Sequence, residues 1–599
     1  MRSAWAVTAI VAICLGGMAP AGVAQTADVP PIMPLGQLNP GMTGYGLTVL
    51  HGTKIERFSV TILGILRGGG PASDLILFRA SGPVIQESGG TASGMSGSPI
   101  FVNGRAIGAL SFGYHFAGPD ADLSLATPIE EMLKALSPSQ TGVGTARPRL
   151  YQAQASFATP LGAVDRVVIM DSTADAAAYN ADPLPRIVAV APVAVPVAAS
   201  GLSPAALGLL SHTLQRFNVT PRQTYGGRKV FPAPPVEPGS SLGIELVRGD
   251  VEVGAIGTVT YRRGDQIVAF GHPLLNAGTV SALLTSAWID TIVRSLDFPF
   301  KEGSIGEIVG MATEDRAVGI GGYVGRFPRT FGVRVAVHDG DRGTTQTLGV
   351  QVVRRRDLAE GLVPTAVLSL VQRIIDRVAA GSAKVKLTLR ARQIPKVIQR
   401  EDLAFDSADI ATASVLDVPA ATQLLFDNFF RDVDPIDMAV DVTVSAKPNT
   451  ALLVGVHPSA RTVHPGDTVE VAVRLKPHGG TTATTRVVDF TVPDGFPTGP
   501  AFLLVGASGG LNTPAPPSQQ FAQLVAQMGT PPTVGSLDAE IDQFEHSGKN
   551  TEVLVELVPE PVLIAAGSNA NPGFDTQAGT SLPTDWVVLG RFQIPMMVK

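Results

Sequence analysis

The dipeptide Asn103-Gly104, set between Ile100-Phe101-Val102 and Ile107-Gly108-Ala109-Leu110, most limits what this chain can fold into. Asn-Gly between two apolar runs is a strong local hairpin signal, so the flanking segments are expected to pair as antiparallel strands. What feeds the hairpin is nearly free of bulk: Gly89-Gly90-Thr91-Ala92-Ser93, then Gly94-Met95-Ser96-Gly97-Ser98-Pro99. Ser96 is therefore expected on a tight glycine turn that leads straight into a strand. Glycine opens backbone angles closed to other residues and lets a substrate come close to the main chain. An acyl-transfer nucleophile needs both, because N–H groups beside it must point at the developing oxyanion. The N–H groups of Gly94 and Ser96 are the candidates. The same hexamer also reads as a Gly/Ser/Pro turn without chemistry.

The chain opens as a targeting segment. Arg2 supplies the positive end, Ala4 to Leu15 the apolar core and Gly22-Val23-Ala24 a small-residue cleavage site, so residues 1–24 are expected to be a signal peptide. That core is too short for a membrane span, and the stretch from Ile187 to Ala199 is short and broken by Pro192 and Pro196. Export is expected, with no membrane span after signal removal and a final location in the periplasm, the outer envelope or the medium. The single cysteine, Cys14, lies in the leader, which leaves no disulfide, thiolate nucleophile or cysteine-bound metal in the rest. At 599 residues and 45% hydrophobic, the chain can rely on apolar cores, in several domains. The net charge of −6 comes with acids and bases intermixed and no basic block, which argues against nucleic acid.

High glycine and proline without a collagen period, with many Val/Thr alternations, point to a mostly β chain with minor α. A Pro-rich arm (25–40) precedes a Ser-bearing β domain (41–136), with strands at Tyr45 to Leu50, Phe58 to Leu63 and Asp74 to Arg79 and a helix at Thr127 to Leu133. In that helix Thr127 is the expected N-cap and Pro128 the first helical residue. Five or six short strands here suggest a small barrel or sandwich. A linker (137–149) leads to a mixed α/β region (150–235) with a helix from about Pro204 to Arg216, and then to a second β domain (236–338).

In that second domain, strands at Leu242 to Val247, Ala255 to Tyr261 and Gln266 to Phe270 end at Gly271-His272-Pro273. A histidine between Gly and Pro at a strand end is well placed to be fixed in orientation, and histidine is the usual base for a serine. His272 also reads as a buried histidine satisfied by a carbonyl. His51 and His115 are the runners-up.

An α/β support region (339–440) is expected next. It contains a helical stretch from Leu358 to Val378 interrupted by Pro364 and a helix from Val418 to Phe430 whose Phe429 and Phe430 are core. A β-sandwich-like module (441–510) and a C-terminal α/β region (511–599) complete the chain. Neither His-Glu-x-x-His nor Gly-x-x-x-x-Gly-Lys occurs, so no metal and no cofactor is expected.

Several blocks together resemble the SpoIVB-type serine peptidase family, over roughly residues 36–338. They are Gly44-Tyr45-Gly46-Leu47-Thr48-Val49, Asp74-Leu75-Ile76-Leu77, Gly94 to Pro99, Thr127 to Leu133, Gly257-Thr258-Val259-Thr260 and Phe270-Gly271-His272-Pro273. The resemblance implies an exported protease with a chymotrypsin-like β-barrel unit, Ser96 as nucleophile and His272 as base. Two departures stand out. The family's sporulation protease has its histidine before its serine, whereas here His272 follows Ser96 by 176 positions, which implies a rearranged chain order. The family's aspartate falls on Ser81, so a third member is left among Asp74, Asp265, Asp315 or none. The expected function is an exported serine endopeptidase acting on envelope or secreted polypeptides. The alternative is an inactive peptidase-fold scaffold that binds an envelope protein.

Overall fold

The computed structural model describes residues 30–599 apart from 69–73, 115–122, 135, 137–149, 160, 171–172, 194–196, 218, 225–230, 295–298, 509–515, 532–533, 547 and 561–578. The expected signal peptide with Cys14, and His115, lie outside the described residues.

The alternating patterns of the first domain become β1 (Thr43–Val49), β2 (Ile55–Arg67) and β3 (Leu75–Ser81), then helix α1 (Pro83–Ser88), β4 (Pro99–Val102), β5 (Arg105–Gly113), β6 (Leu123–Pro128) and helix α2 (Ile129–Lys134). Asn103 and Gly104 turn β4 into β5 with φ of 51° and 71°, the left-handed pair such a turn requires. Pairing runs β1–β4–β5–β6–β3–β2, and β2 pairs back with β1, so six strands close into a barrel. Phe58, Ile62, Phe78, Ile100 and Ile107 are among the residues that fill it.

Three further strands, β7 (Leu150–Thr159), β8 (Gly162–Ile169) and, after helix α3 (Thr173–Ala181), β9 (Ile187–Pro192), extend from β2 and return to β5. They close a second ring around Leu77, Phe112, Tyr151 and Val188. β2 and β5 serve both rings because each carries a bulge, at Ile62/Gly64 and Leu110/Phe112, that bends its course.

After β10 (Val197–Ser200), helix α4 (Pro204–Gln215) and β11 (Pro221–Gln223), a second barrel follows. Its strands are β12 (Ser241–Gly249), β13 (Glu252–Arg263), β14 (Gln266–Ala269), β15 (Gly278–Val293), β16 (Phe300–Arg316) and β17 (Gly319–Val324). The circuit β12–β13–β14–β17–β16–β15 closes on β12. Two six-stranded barrels, the first carrying Ser96 and the second His272, give the chymotrypsin-like β-rich unit in the rearranged order. They pack through a shared apolar seam, Phe101, Ala109 and Met132 from one side and Tyr261 and Val268 from the other.

The sheet of the second barrel continues from β12 through β19 (Thr344–Val353) and β18 (Thr330–Asp339) to β22 (Pro435–Ser445), β20 (Gly381–Ala391) and β21 (Ile394–Asp406). Helices α5 (Arg356–Ile375), α6 (Ile410–Ala413) and α7 (Val418–Phe426) cover it. Helix α5 is long and apolar enough to cross a membrane, but 78% of its apolar window is buried inside the protein, as in a core helix.

The last part is a β-sandwich. Its first layer joins β23 (Thr450–Pro458), β25 (Thr468–Pro477), β26 (Thr484–Thr491) and β30 (Val587–Leu589). The other layer joins β24 (Thr462–Val463), β27 (Gly499–Ala507), β28 (Glu552–Pro559), β29 (Thr580–Pro583) and β31 (Arg591–Val598). Leu475, Phe490, Leu503 and Val555 sit between the layers.

Four local expectations are corrected. Thr127 and Pro128 end strand β6 rather than cap α2: Pro128 pairs with Gly108, and the Thr127 hydroxyl donates to the Gly271 carbonyl at 2.6 Å. Helix α5 runs through Pro364 without a break. It is buried on nearly every face, and that packing outweighs the roughly 3 kcal/mol an internal proline costs. Helix α7 stops at Phe426, which leaves Phe429 about half exposed rather than in the core. The strands of 552–598 complete the sandwich instead of forming a separate α/β region. Helices α8 (Pro517–Ala526) and α9 (Leu537–His546) of that region leave the sandwich, docking Phe521, Leu537 and Ile541 into the core under α5 to α7.

Candidate active site

The turn that carries Ser96 is built from its own amides. The N–H of Met95 donates to the Ala92 carbonyl at 3.0 Å, that of Ser98 to Met95 at 2.9 Å, and that of Gly97 to Leu110 on β5 at 2.8 Å. Among the described residues, the amides of Gly94 and Ser96 have no acceptor. These are the two groups named from the sequence as an oxyanion pair. Gly94 and Gly97 hold φ of +86° and +90°, which L side chains rarely adopt. The Ser96 hydroxyl is fully buried and, among the described residues, has no hydrogen-bond partner; the same is true of Ser98.

The second barrel grips this turn. The Thr258 N–H donates to the Ser96 carbonyl at 2.9 Å, the Thr260 hydroxyl to the Gly97 carbonyl at 2.7 Å and the Thr258 hydroxyl to the Gly94 carbonyl at 3.2 Å. The approach is so close that a Cβ on Gly97 would lie 2.1 Å from the Thr258 oxygen and 2.4 Å from the Phe270 nitrogen.

His272 enters from β14. The chain reverses at Phe270 and Gly271, with φ of 69° and 67°, and the Gly271 N–H closes a three-residue turn onto the Ala269 carbonyl at 2.9 Å. A Cβ on Gly271 would lie 3.0 Å from the Leu110 oxygen, the acceptor of the Gly97 N–H. One carbonyl of β5 is thus flanked by the residue after Ser96 and the residue before His272, and the fold brings the two segments together. The imidazole is buried, edge-on to the Phe270 ring. Its Nδ1 lies 2.7 Å from the Pro273 carbonyl oxygen. A carbonyl only accepts, so Nδ1 carries the proton and Nε2 is the basic nitrogen of the neutral ring.

The three candidate aspartates separate by environment. Asp74 pairs with Arg67 beside a strand end and also accepts from the Gly68 N–H. Asp265 pairs with Arg326 at 2.7 Å on the exposed β13–β14 turn. Asp315 is buried and accepts the N–H groups of Leu274 and Leu275, each at 2.8 Å, and of Ala277 at 3.3 Å. It therefore fastens the loop that follows His272. Burial pushes its carboxyl above the ordinary value, against the pull of those three amides and of Arg355. His51 is exposed and bonded to Glu87 at 2.7 Å, remote in role from the turn.

The model of the SpoIVB peptidase S55 family matches residues 29–133. The match is shorter than the expected 36–338: it contains the Ser96 turn and all six strands of the first barrel, and it ends before His272. Residues 29–133 are thus similar to that family, a likeness that supports a serine peptidase in general and suggests a polypeptide substrate. No curated protein and no solved structure matches the chain.

Sequence reasoning missed three parts of the site. Thr258 and Thr260 fall in a strand and in a block that resembles the family, but nothing in the sequence says that their hydroxyls hold the serine turn. The Pro273 carbonyl could not be named from side-chain motifs. Lys301 on β16 drew no attention, because a lone lysine in a strand reads as solvent-facing; here it is buried beneath Gly94.

Proposed function

We propose that this is an exported serine endopeptidase acting on polypeptides of the envelope or of the secreted pool, with Ser96 as nucleophile and His272 as base. The Ser96 oxygen bonds to the peptide carbonyl carbon while its proton passes to His272 Nε2. The carbonyl electron pair moves onto oxygen, where the Gly94 and Ser96 amides receive it. Collapse expels the amine, which takes the proton from the imidazolium, and water repeats the sequence on the acyl-enzyme. The Pro273 carbonyl holds the imidazole in its working tautomer, the role a carboxylate plays in a triad.

One observation carries the reading. In the serine turn the amides of residues 95 and 98 are bonded within the turn and that of 97 to β5, and the two that remain among the described residues are those that flank the hydroxyl as an oxyanion pair must. The test is labelling by a fluorophosphonate with wild type, Ser96→Ala and His272→Ala. Label on wild type, none on Ser96→Ala and a rate lower by about 10² or more on His272→Ala support the reading. Equal labelling of wild type and Ser96→Ala sinks it. A non-catalytic scaffold is the second reading, favoured by the complete burial of Ser96, and it predicts that no variant is labelled.

A further inference from the structure

Lys301 is 5% exposed, and among the described residues no carboxylate pairs with it. Its backbone N–H donates to the Ser93 carbonyl at 2.9 Å, joining β16 to the strand-like start of the serine turn. Its stem lies under Gly94: a Cβ built there would stand 3.1, 3.2 and 3.3 Å from the lysine Cβ, Cδ and Cγ. Its Nζ donates to the Thr48 hydroxyl on β1 at 2.9 Å, so the amine ends inside the junction of the two barrels. Thr48 lies two residues past Gly46, which pairs with Ile100 at the start of the strand that leaves the serine turn.

We propose that Lys301 is a positioning and charge-supplying residue of the serine site, its stem holding Gly94 in place and its ammonium group standing behind the oxyanion amides. This rests on the Ser96 reading above. Lysine stems suit the first task because they pack like hydrocarbon. The second follows from the low dielectric of a closed site, where a cation acts on a developing oxyanion far more strongly than in water. Burial alone brings the amine down to about 7. The charged groups nearest along the surrounding elements are Glu56 on β2, which pairs with Thr48, Arg222 on β11, Arg294 after β15 and Glu302 on β16, and none of them contributes to that shift. An amine that titrates near neutrality can take up a proton as negative charge forms beside it.

The experiment is the pH profile of fluorophosphonate labelling for wild type, Lys301→Met, Lys301→Arg and Ser96→Ala, each checked by circular-dichroism melting. Wild type is expected to lose rate as pH rises through about 7, where the ammonium is lost. Lys301→Met keeps the stem but is expected to label about tenfold more slowly and to lack that falling limb. Lys301→Arg, charged throughout, is expected to restore the rate and hold it to higher pH. If Lys301→Arg does not melt cooperatively, Lys301→Met decides alone. A Lys301→Met profile that superimposes on wild type, with Ser96-dependent labelling intact, overturns the lysine proposal and leaves the nucleophile standing. Labelling that does not depend on Ser96 overturns both.

Discussion

Gly97 and Phe270 touch through their backbones: the point where a side chain would begin on Gly97 is 2.4 Å from the Phe270 nitrogen. Between them they join the serine turn of one barrel to the histidine turn of the other. Phe270 itself holds a left-handed φ that bulky residues avoid. Strain of this kind persists only where the surrounding structure fixes it, and such positions gather at functional sites.

Gly97→Ala should therefore separate the barrels at this seam. The added methyl meets the Thr258 oxygen at 2.1 Å and forces an L side chain to φ of +90°. A loss of about 3 kcal/mol or more is expected in urea melts, with Ser96 labelling abolished. A Gly97→Ala protein with wild-type stability and labelling would show that the approach described here is wrong.

Ser96→Ala should do the opposite to stability. The Ser96 hydroxyl is buried without a partner, and a buried polar group left unsatisfied costs about 1 to 3 kcal/mol. Removing it should raise stability by about 1 kcal/mol while ending labelling, a trade expected of a catalytic group held at a thermodynamic cost. Ser98→Ala should gain similar stability but keep labelling, which separates the proposed nucleophile from its neighbour. Loss of stability in both variants would mean that the hydroxyls are satisfied after all.

Much of this seam was legible in the sequence, and the reason is local. Alternation and the Asn103-Gly104 turn are short-range signals, and so are the glycines around Ser96 and the Gly-His-Pro end of β14. Closure of either barrel was not legible, because the pairings β1–β4 and β12–β15 join segments far apart in the chain and no local pattern encodes them. Helix α1, at six residues, is too short for a periodicity to show. Lys301 escaped for the same reason as the rings: its burial is decided by Gly94 and Thr48, each more than two hundred positions away.

Asp315→Asn tests the fastening of the histidine loop. The amide side chain turns an NH2 group toward donors that need an acceptor, so a loss of about 1 to 3 kcal/mol at acid pH and slower labelling are expected. The pH dependence has a definite sign. Burial holds the native carboxyl above its ordinary value of 3.8, so the folded state keeps the proton to higher pH than the unfolded chain. That contribution is complete below 3.8 and is lost as pH rises through the folded value. The gap between wild type and Asp315→Asn should accordingly narrow from pH 4 upward in urea melts. A gap that widens with pH would mean that the carboxylate is stabilised by its three amides more than it is opposed by burial.

Complete burial of Ser96 has a kinetic consequence. A reagent cannot reach a hydroxyl with no exposed surface until the turn or its cover opens, so opening must precede every covalent step. At low probe concentration the labelling rate should rise in proportion to concentration. Once capture outruns closing, it should reach a limit equal to the opening rate. Two phosphonates with different leaving groups, fluoride and p-nitrophenolate, separate this limit from saturation of a binding site. Opening is a property of the protein, so both reagents should converge on one limiting rate despite their different reactivities. Limiting rates that differ in step with leaving-group chemistry would place the slow step at the serine itself, and would require Ser96 to be accessible in the resting protein.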